Sequence, residues 1–188
     1  LIARANGIAD PLDGRVVEAY WLGNELLDGV PVAMMADSLD SRFRARLRPE
    51  PWRWLAGKAP AGARPVHAFH VFDVFPRVGL MRGGEVTNVL STIDSCRIRW
   101  GTVLARLDDR LLVDAVPLVM VEGRLEFGAA RAEAIRGWHD GHGFVDDVAP
   151  GDVVAIHWDW ACERLDETRL AALQGWTRRQ LAIANQTI

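Results

Sequence analysis

Hydrophobic residues in the first half of the chain recur at helical spacing. Between Arg15 and Leu27 the apolar side chains stand three and four positions apart, which predicts an amphipathic helix. Asp13 stands at the position of an N-cap, and Gly29 follows the predicted end. The same spacing predicts two further helices, from Pro31 to about Leu47 and from Glu85 to Asp94.

The segment from His67 to Phe75 is almost wholly apolar around two histidines and one aspartate. Periodicity alone fits such a run to either a helix or a strand. We predict a helix that Pro76 ends, because a proline disfavours the helical conformation of the residue before it.

After Cys96 the hydrophobic period changes from helical spacing to alternation. Short alternating runs separated by turns predict strands; they cover residues 97–100, 102–104, 111–113, 116–121, 124–127 and 153–158. Asp166 then precedes a last amphipathic stretch, which predicts a capped helix. Short strands, tight turns and a closing helix are typical of a small barrel.

These patterns together predict an α+β fold. We expect a helical region over residues 1–95, packed on a small five-stranded, OB-like β-barrel that covers residues 96–188 with its C-terminal helix. The sequence shows no internal repeat, low-complexity stretch or linker, so we expect the halves to pack as one unit.

Composition narrows the classes of function. The chain has 188 residues and a formal net charge of −3, which argues against binding nucleic acid through bulk charge. No apolar run reaches the roughly 18 to 20 residues that cross a bilayer. Two cysteines do not make a disulfide framework and favour a reducing, cytoplasmic setting. The chain begins at Leu1 within a predicted helix, so we expect further sequence upstream.

Four segments of the second half occur in an order that resembles a known family. They are CRIRWGTV at 96–103, LLVD at 111–114, PGDVVAIH at 150–157 and ACERLDE at 161–167. This ordered set, over roughly residues 96–185, resembles the HypC/HupF family of small chaperones for nickel–iron hydrogenase maturation. The whole chain is also similar to an uncharacterised bacterial family, which implies no chemistry.

The HypC/HupF resemblance implies a specific role for the chain. Those chaperones bind a scaffold protein and help carry iron, with its cyanide and carbon monoxide ligands, to the hydrogenase large subunit. Their opening cysteine supplies a thiolate for iron or for the partner; Cys96 holds that place, and His157 matches the family's histidine. Because Cys96 is internal, a terminal amine cannot join its thiol as a ligand. The implied cofactor is iron, and the implied partners are the scaffold protein or the large subunit.

Cys96 and His157 also carry chemistry of their own. A thiolate is both an iron ligand and a nucleophile, and nearby cations favour it. Arg97 and Arg99 flank Cys96 and would lower its pKa if the strand twist brought them close. The alternative for Cys96 is a buried core thiol, since free cysteine is among the most buried residues. The alternative for His157 is a half-buried ring with local hydrogen bonds.

His67, His70 and Asp73 form a row spaced by three residues. On a helix this spacing places the side chains on one face, and it can bind a metal. One His-x-x-His pair lacks a defined third ligand, so we favour the alternative of two histidines at the edge of an apolar packing face. The sharper hypothesis is that the row lies near Cys96 and joins it in a mixed site.

The eight tryptophans include candidates for a partner surface. Trp138, Trp158 and Trp160 lie near the predicted barrel and are candidates for an exposed apolar patch, which signals binding. The predicted partner-binding residues are Cys96, Trp100, Trp158 and Trp160. Core packing between the two halves is the alternative.

The sequence therefore favours an accessory chaperone in metallocentre assembly. It would bind partner proteins, and iron through the Cys96 thiolate, without catalytic residues, nucleic acid or a membrane. Two alternatives stay open. One is an enzyme of unknown substrate with a His, Asp and Cys site between the halves, and the other is a metal-free protein-interaction module.

Overall fold

The structure is a computed structural model that describes residues 1–76 and 86–187. It divides into two compact units. Unit 1 comprises Leu1–Glu85 and Ala172–Ile188, and unit 2 comprises Val86–Ala171. This division differs from the boundary between residues 95 and 96 that the change of hydrophobic period predicts. The helix before Cys96 belongs to the barrel unit, and most of the C-terminal helix belongs to the helical unit.

The N-terminal part of unit 1 is built from short helices. They are α1 (Ile2–Ala5), α2 (Gly14–Trp21), α3 (Val32–Phe43), α4 (Pro49–Ala56) and α5 (His67–Phe69), with a 3-10 turn at Glu25–Leu27 and a π-helical turn at His70–Val74. Asp13 caps α2 as predicted, since its carboxylate accepts a hydrogen bond from the Arg15 amide at 3.0 Å. Helix α2 ends before the predicted Leu27, because Gly23 takes a φ of +92° that leaves the helical path.

The segment that begins at His67 is helical, as predicted, but its hydrogen bonding changes along its length. An α-helical turn at His67–Phe69 passes into the π-helical turn at His70–Val74. A π turn inserts an extra residue, so residues three apart no longer align as they do in an α-helix. Glu85, the predicted start of the next helix, and the rest of residues 77–85 lie outside the described residues.

A buried ion pair stabilises the interior of unit 1. The Lys58 ammonium lies 3.3 Å from a carboxylate oxygen of Asp73, and it donates a hydrogen bond to the Ile183 carbonyl at 2.8 Å. The same ammonium lies 4.1 Å from the Trp54 ring centroid. Both charged side chains are buried, and a buried charge is tolerated only when it is paired and hydrogen-bonded. The pair therefore fixes the π-helical turn.

The C-terminal helix, α7, runs over Glu167–Ala184. Asp166 caps it as predicted, because its carboxylate accepts a hydrogen bond from the Arg169 amide at 2.8 Å. Within residues 1–76 and 86–187, no helix has both the length and the apolar character needed to cross a bilayer.

Unit 2 contains helix α6 (Val86–Cys96) and a closed five-stranded barrel, which confirms the predicted fold class. The strands of unit 2 are β1 (Arg99–Leu107), β2 (Arg110–Ala115), β3 (Leu118–Val121), β4 (Arg124–Phe127), β5 (Arg131–Arg136), β6 (Trp138–His139), β7 (His142–Gly143), β8 (Val153–His157) and β9 (Trp160–Leu165). The barrel order is β1-β2-β5-β9-β8, and β3–β4 and β6–β7 are separate hairpins. Only β5 and β9 pair in parallel among the barrel neighbours. This crossover gives the OB-like arrangement.

The barrel interior is filled by alternate residues of its strands. Its core includes Val103, Leu111, Val113, Ile135, Val154 and Ile156. Gly101 lies where strands approach closely, because a Cβ there would be 3.1 Å from the Ile156 Cδ1 and 3.2 Å from the Val113 Cβ. Closure leaves the barrel without a free edge strand and holds the residues at its ends in defined positions.

A buried arginine joins α6 to the barrel. Arg97 is 0% exposed. Its Nε donates to the Asp94 carboxylate at 2.9 Å, and its Nη2 donates to the Val116 carbonyl at 2.5 Å. The amide of Leu118 donates to the same Asp94 oxygen at 3.0 Å. Burial lowers the pKa of Arg97 to about 10, with Asp94 opposing the shift, so the guanidinium stays charged at neutral pH.

Replacing Asp94 by alanine should destabilise unit 2, because the Arg97 guanidinium would stay buried without its carboxylate. We expect the free energy of unfolding to fall by about 3–5 kcal/mol in chemical denaturation. The double change Asp94→Leu with Arg97→Met removes both charges and should recover part of this loss. Asp146→Ala, at an exposed carboxylate, is the control. A loss below about 1 kcal/mol for Asp94→Ala, as at a surface pair, would contradict this role.

Candidate functional site

The structure brings Cys96 and His157 together within unit 2. Cys96 is the last residue of α6, and His157 is the last residue of β8. Because β1 and β8 are antiparallel, with Arg99 opposite Ile156, the start of one strand meets the end of the other. The Cys96 Sγ and a ring nitrogen of His157 lie within 4.8 Å of one another. We call these two residues the Cys96–His157 pair.

A strained residue follows His157 and fixes the end of β8. Trp158 has a φ of +55°, a left-handed conformation that a bulky side chain rarely adopts. Its amide donates to the Ser95 carbonyl at 2.7 Å, and its carbonyl accepts from the Arg99 guanidinium at 2.7 Å. Strain of this kind persists where the surroundings over-determine it. The two hydrogen bonds therefore hold the turn after His157 against Ser95, which precedes Cys96, and against Arg99 at the start of β1.

The Cys96 thiol is protonated at neutral pH. Burial raises its pKa, and its position at the C-terminus of α6 also disfavours an anion. The hypothesis that Arg97 and Arg99 lower this pKa is wrong. Arg97 pairs with Asp94, and Arg99 pairs with Glu133, so both cations have carboxylate partners of their own.

The His157 imidazole is neutral at neutral pH. Burial lowers its pKa, and a hydrogen bond to the Cys96 backbone opposes part of that shift. A neutral imidazole has the protonation state that a metal ligand needs. The hydrogen bond also orients the ring, since the second ring nitrogen of a ligating histidine is usually fixed by such a contact.

Cys162 is a second free thiol whose place beside His157 the sequence did not reveal. The backbone of His157 hydrogen-bonds to its sulfur, which lowers the pKa of the thiol, while burial raises it by more. Its Sγ also donates to the Trp160 carbonyl at 3.5 Å. The irregular register between β8 and β9 produces this contact, and no sequence pattern reports such a register shift.

The predicted row of His67, His70 and Asp73 lies in unit 1. The His67 ring packs against Trp21, with centroids 4.6 Å apart, and against the His70 ring at 6.5 Å. Asp73 does not continue an open row of ligands, because it is buried and ion-paired with Lys58. The hypothesis that this row joins Cys96 in a mixed site stays a prediction.

The predicted partner-binding tryptophans have different environments. Trp100 is buried against Phe127, with ring centroids 5.6 Å apart. It cannot belong to an exposed surface, because the buried Arg97 guanidinium draws these aromatic rings around it. Trp138 is also buried, in the barrel core, so it is not part of an exposed patch. Trp158 is 48% exposed. Trp160 is half-buried, and its ring contacts the exposed ring of Phe144, with centroids 5.9 Å apart.

The donor set of the Cys96–His157 pair suits a thiophilic metal ion. Sulfur and imidazole nitrogen ligands select zinc, iron and similar transition metals over magnesium or calcium. Metal binding would release the thiol proton. Nucleophilic catalysis by Cys96 is disfavoured, because it needs a thiolate and the pKa of this thiol is raised.

Comparison with known proteins gives one family. Residues 1–188 match the sequence pattern of DUF6390, a family of unknown function. This confirms the similarity of the whole chain to an uncharacterised family and does not show the HypC/HupF resemblance. No curated protein and no solved structure matches the chain.

The lowered pKa of His157 predicts a pH dependence of stability. The ordinary pKa is 6.5 and the folded value lies below it, so the unfolded chain binds more protons between these two values. The stability that the neutral ring contributes is present above pH 6.5 and is lost as the pH falls towards the folded pKa. We expect the free energy of unfolding to fall less in His157→Gln than in the unmodified protein when the pH drops from about 7.5 to about 5.

Burial also lowers the pKa of His70, so His70 adds a pH dependence of its own to both proteins. The informative quantity is therefore the difference in the pH dependence of unfolding between His157→Gln and the unmodified protein. Denaturation at several pH values measures it, with His142→Gln at an exposed position as the control. Equal pH dependence in His157→Gln and the unmodified protein would contradict the burial of the neutral ring.

Proposed function

This chain belongs to the DUF6390 family, and we propose that it is an accessory protein of metallocentre assembly. In this proposal it holds a thiophilic metal ion as cargo at the Cys96–His157 pair and passes it to a partner protein.

The observation that carries the proposal is the closeness of a thiol and an imidazole at a rigid junction. In a tetrahedral site, metal–sulfur and metal–nitrogen bonds of about 2.3 and 2.0 Å place the two ligand atoms about 3.5 Å apart. The donor atoms of Cys96 and His157 lie within 4.8 Å. A side-chain adjustment of at most about 1.3 Å therefore lets both atoms bind one ion. Two ligands do not complete a tetrahedral shell, so the remaining ligands come from outside the pair.

Exposed and half-buried aromatic residues of unit 2 support a partner role. Trp158 and Phe144 are 48% and 71% exposed, and Trp160, the first residue of β9, is half-buried. Exposed tryptophans are over-represented among the residues that dominate protein interfaces. Trp158 is adjacent in sequence to His157, so a partner that covers Trp158 would approach the metal ligand.

A more specific form of this proposal names the metal ion that is carried and the proteins that receive it. The resemblance of residues 96–185 to the HypC/HupF family supports iron as the metal and a hydrogenase maturation scaffold protein or large subunit as the partner. Because the Cys96 thiol is protonated, a metal ion must displace its proton before the sulfur binds. Metal capture is therefore coupled to the release of a proton.

Titration with Co²⁺ under reducing, anaerobic conditions tests the metal site. We expect the full chain to develop a thiolate-to-metal charge-transfer absorption and to release a proton. Cys96→Ser should abolish the absorption, and His157→Ala should weaken binding by at least about tenfold, or about 1.4 kcal/mol. Cys162→Ser is the matched control, because it removes the other thiol and should keep the absorption.

The proposal fails if the unmodified protein binds neither Co²⁺ nor Zn²⁺, or if Cys96→Ser binds them equally well. Repeating the titration with Fe²⁺ tests iron as the cargo. The same measurement on His67→Ala tests the sequence hypothesis that His67 is a further ligand, which predicts weaker binding in that variant.

The substitution Trp158→Gly tests the partner surface without unfolding the turn. Glycine adopts the φ of +55° without strain, so stability should not fall. Loss of the exposed indole should weaken binding to a purified hydrogenase maturation scaffold protein by at least about tenfold. Met120→Ala, at an exposed apolar residue of the β3–β4 hairpin, is the control. Unchanged affinity in Trp158→Gly, or no binding by the unmodified protein, would refute this partner surface.

A further inference from the structure

Unit 1 contains a cavity of about 400 Å³ that residues of unit 1 form by themselves. Small-molecule sites typically enclose about 300–1,000 Å³. The floor consists of buried apolar side chains of α2, α3 and α5, among them Val16, Leu39 and Phe69. A floor of this composition accommodates the apolar body of a ligand.

Large hydrophobic side chains also surround the mouth of this cavity. Leu12, Val17 and Trp21 line it and are 77%, 38% and 37% exposed. Leaving several such side chains in water around one opening is unfavourable. Exposed apolar patches of this kind mark binding sites on soluble domains.

A positive charge lies at the same mouth. Arg42 is exposed on α3, and Ser38 stands four residues earlier, so both lie on the cavity face of that helix. Among the described residues, no carboxylate pairs with the Arg42 guanidinium. Burial is the main cause of the lowered pKa of His70, which also lines the cavity, and the charge of Arg42 adds to this shift. The field of Arg42 therefore reaches the cavity.

We infer that this cavity binds a small carboxylic acid with an apolar body, such as a medium-chain fatty acid. The hydrocarbon chain occupies the apolar floor, and the carboxylate pairs with Arg42 at the mouth. A guanidinium presents its donors in a planar fork that matches a carboxylate. The site requires no metal and is separate from the proposed function, because none of its lining residues belongs to unit 2.

Calorimetric titration of the full chain with decanoate tests this site. We expect saturable binding, with an affinity about tenfold weaker in Arg42→Gln because the charge-assisted hydrogen bonds are lost. Decanol lacks the charge and should bind the unmodified protein and Arg42→Gln equally. Decyltrimethylammonium, with the same chain and the opposite charge, should bind more weakly than decanoate. Absence of saturable decanoate binding, or unchanged affinity in Arg42→Gln, would overturn the inference.

Two further variants separate specific binding from general effects. Arg46→Gln removes an exposed arginine that does not line the cavity and should bind decanoate normally. Val17→Glu places a carboxylate at the exposed mouth and should abolish decanoate binding, with circular dichroism verifying the fold. Normal decanoate binding by Val17→Glu would contradict the site. Cys96→Ser should bind decanoate normally, so this inference and the metal proposal succeed or fail separately.

Discussion

The guanidinium of Arg97, buried next to Cys96, joins three segments of unit 2 beside the candidate metal site. A charge removed from water requires a counter-charge and hydrogen-bond acceptors, and Asp94 and the Val116 carbonyl supply them. Asp94 also accepts from the Leu118 amide. The end of α6, the start of β1 and the segment between β2 and β3 are therefore held at one point. This point determines where the Cys96 thiol lies relative to the barrel.

The same constraint decides the chemistry available to Cys96. Because Arg97 and Arg99 are committed to Asp94 and Glu133, they do not favour a thiolate, and burial keeps the thiol protonated. A neutral thiol beside a neutral imidazole suits coupled metal binding and proton release better than nucleophilic attack. The strained backbone after His157 is held by hydrogen bonds to the same junction, so the imidazole is oriented before any metal arrives.

Unit 1 repeats the arrangement of a buried ion pair close to a candidate site. Lys58 and Asp73 are paired in the interior, and Asp73 belongs to the π-helical turn that also carries His70. His70 lines the apolar cavity whose mouth bears Arg42. π turns are frequent at functional sites because they re-aim side chains. The two units thus carry different groups, a thiol–imidazole pair in unit 2 and an apolar cavity with an arginine at its mouth in unit 1, and an OB-like barrel by itself would indicate neither.

The amino-acid sequence determined the local structure of this protein. Asp13 and Asp166 cap helices as their positions predict, and the change from helical to alternating spacing after Cys96 marks the passage from helices to barrel, because caps and amphipathic faces depend on residues only a few positions apart. Only the tertiary structure decided that Arg97 is buried and that Cys96 meets His157. Those outcomes depend on strand pairing between distant segments and on the loss of water around each group, and neither quantity is encoded in local spacing.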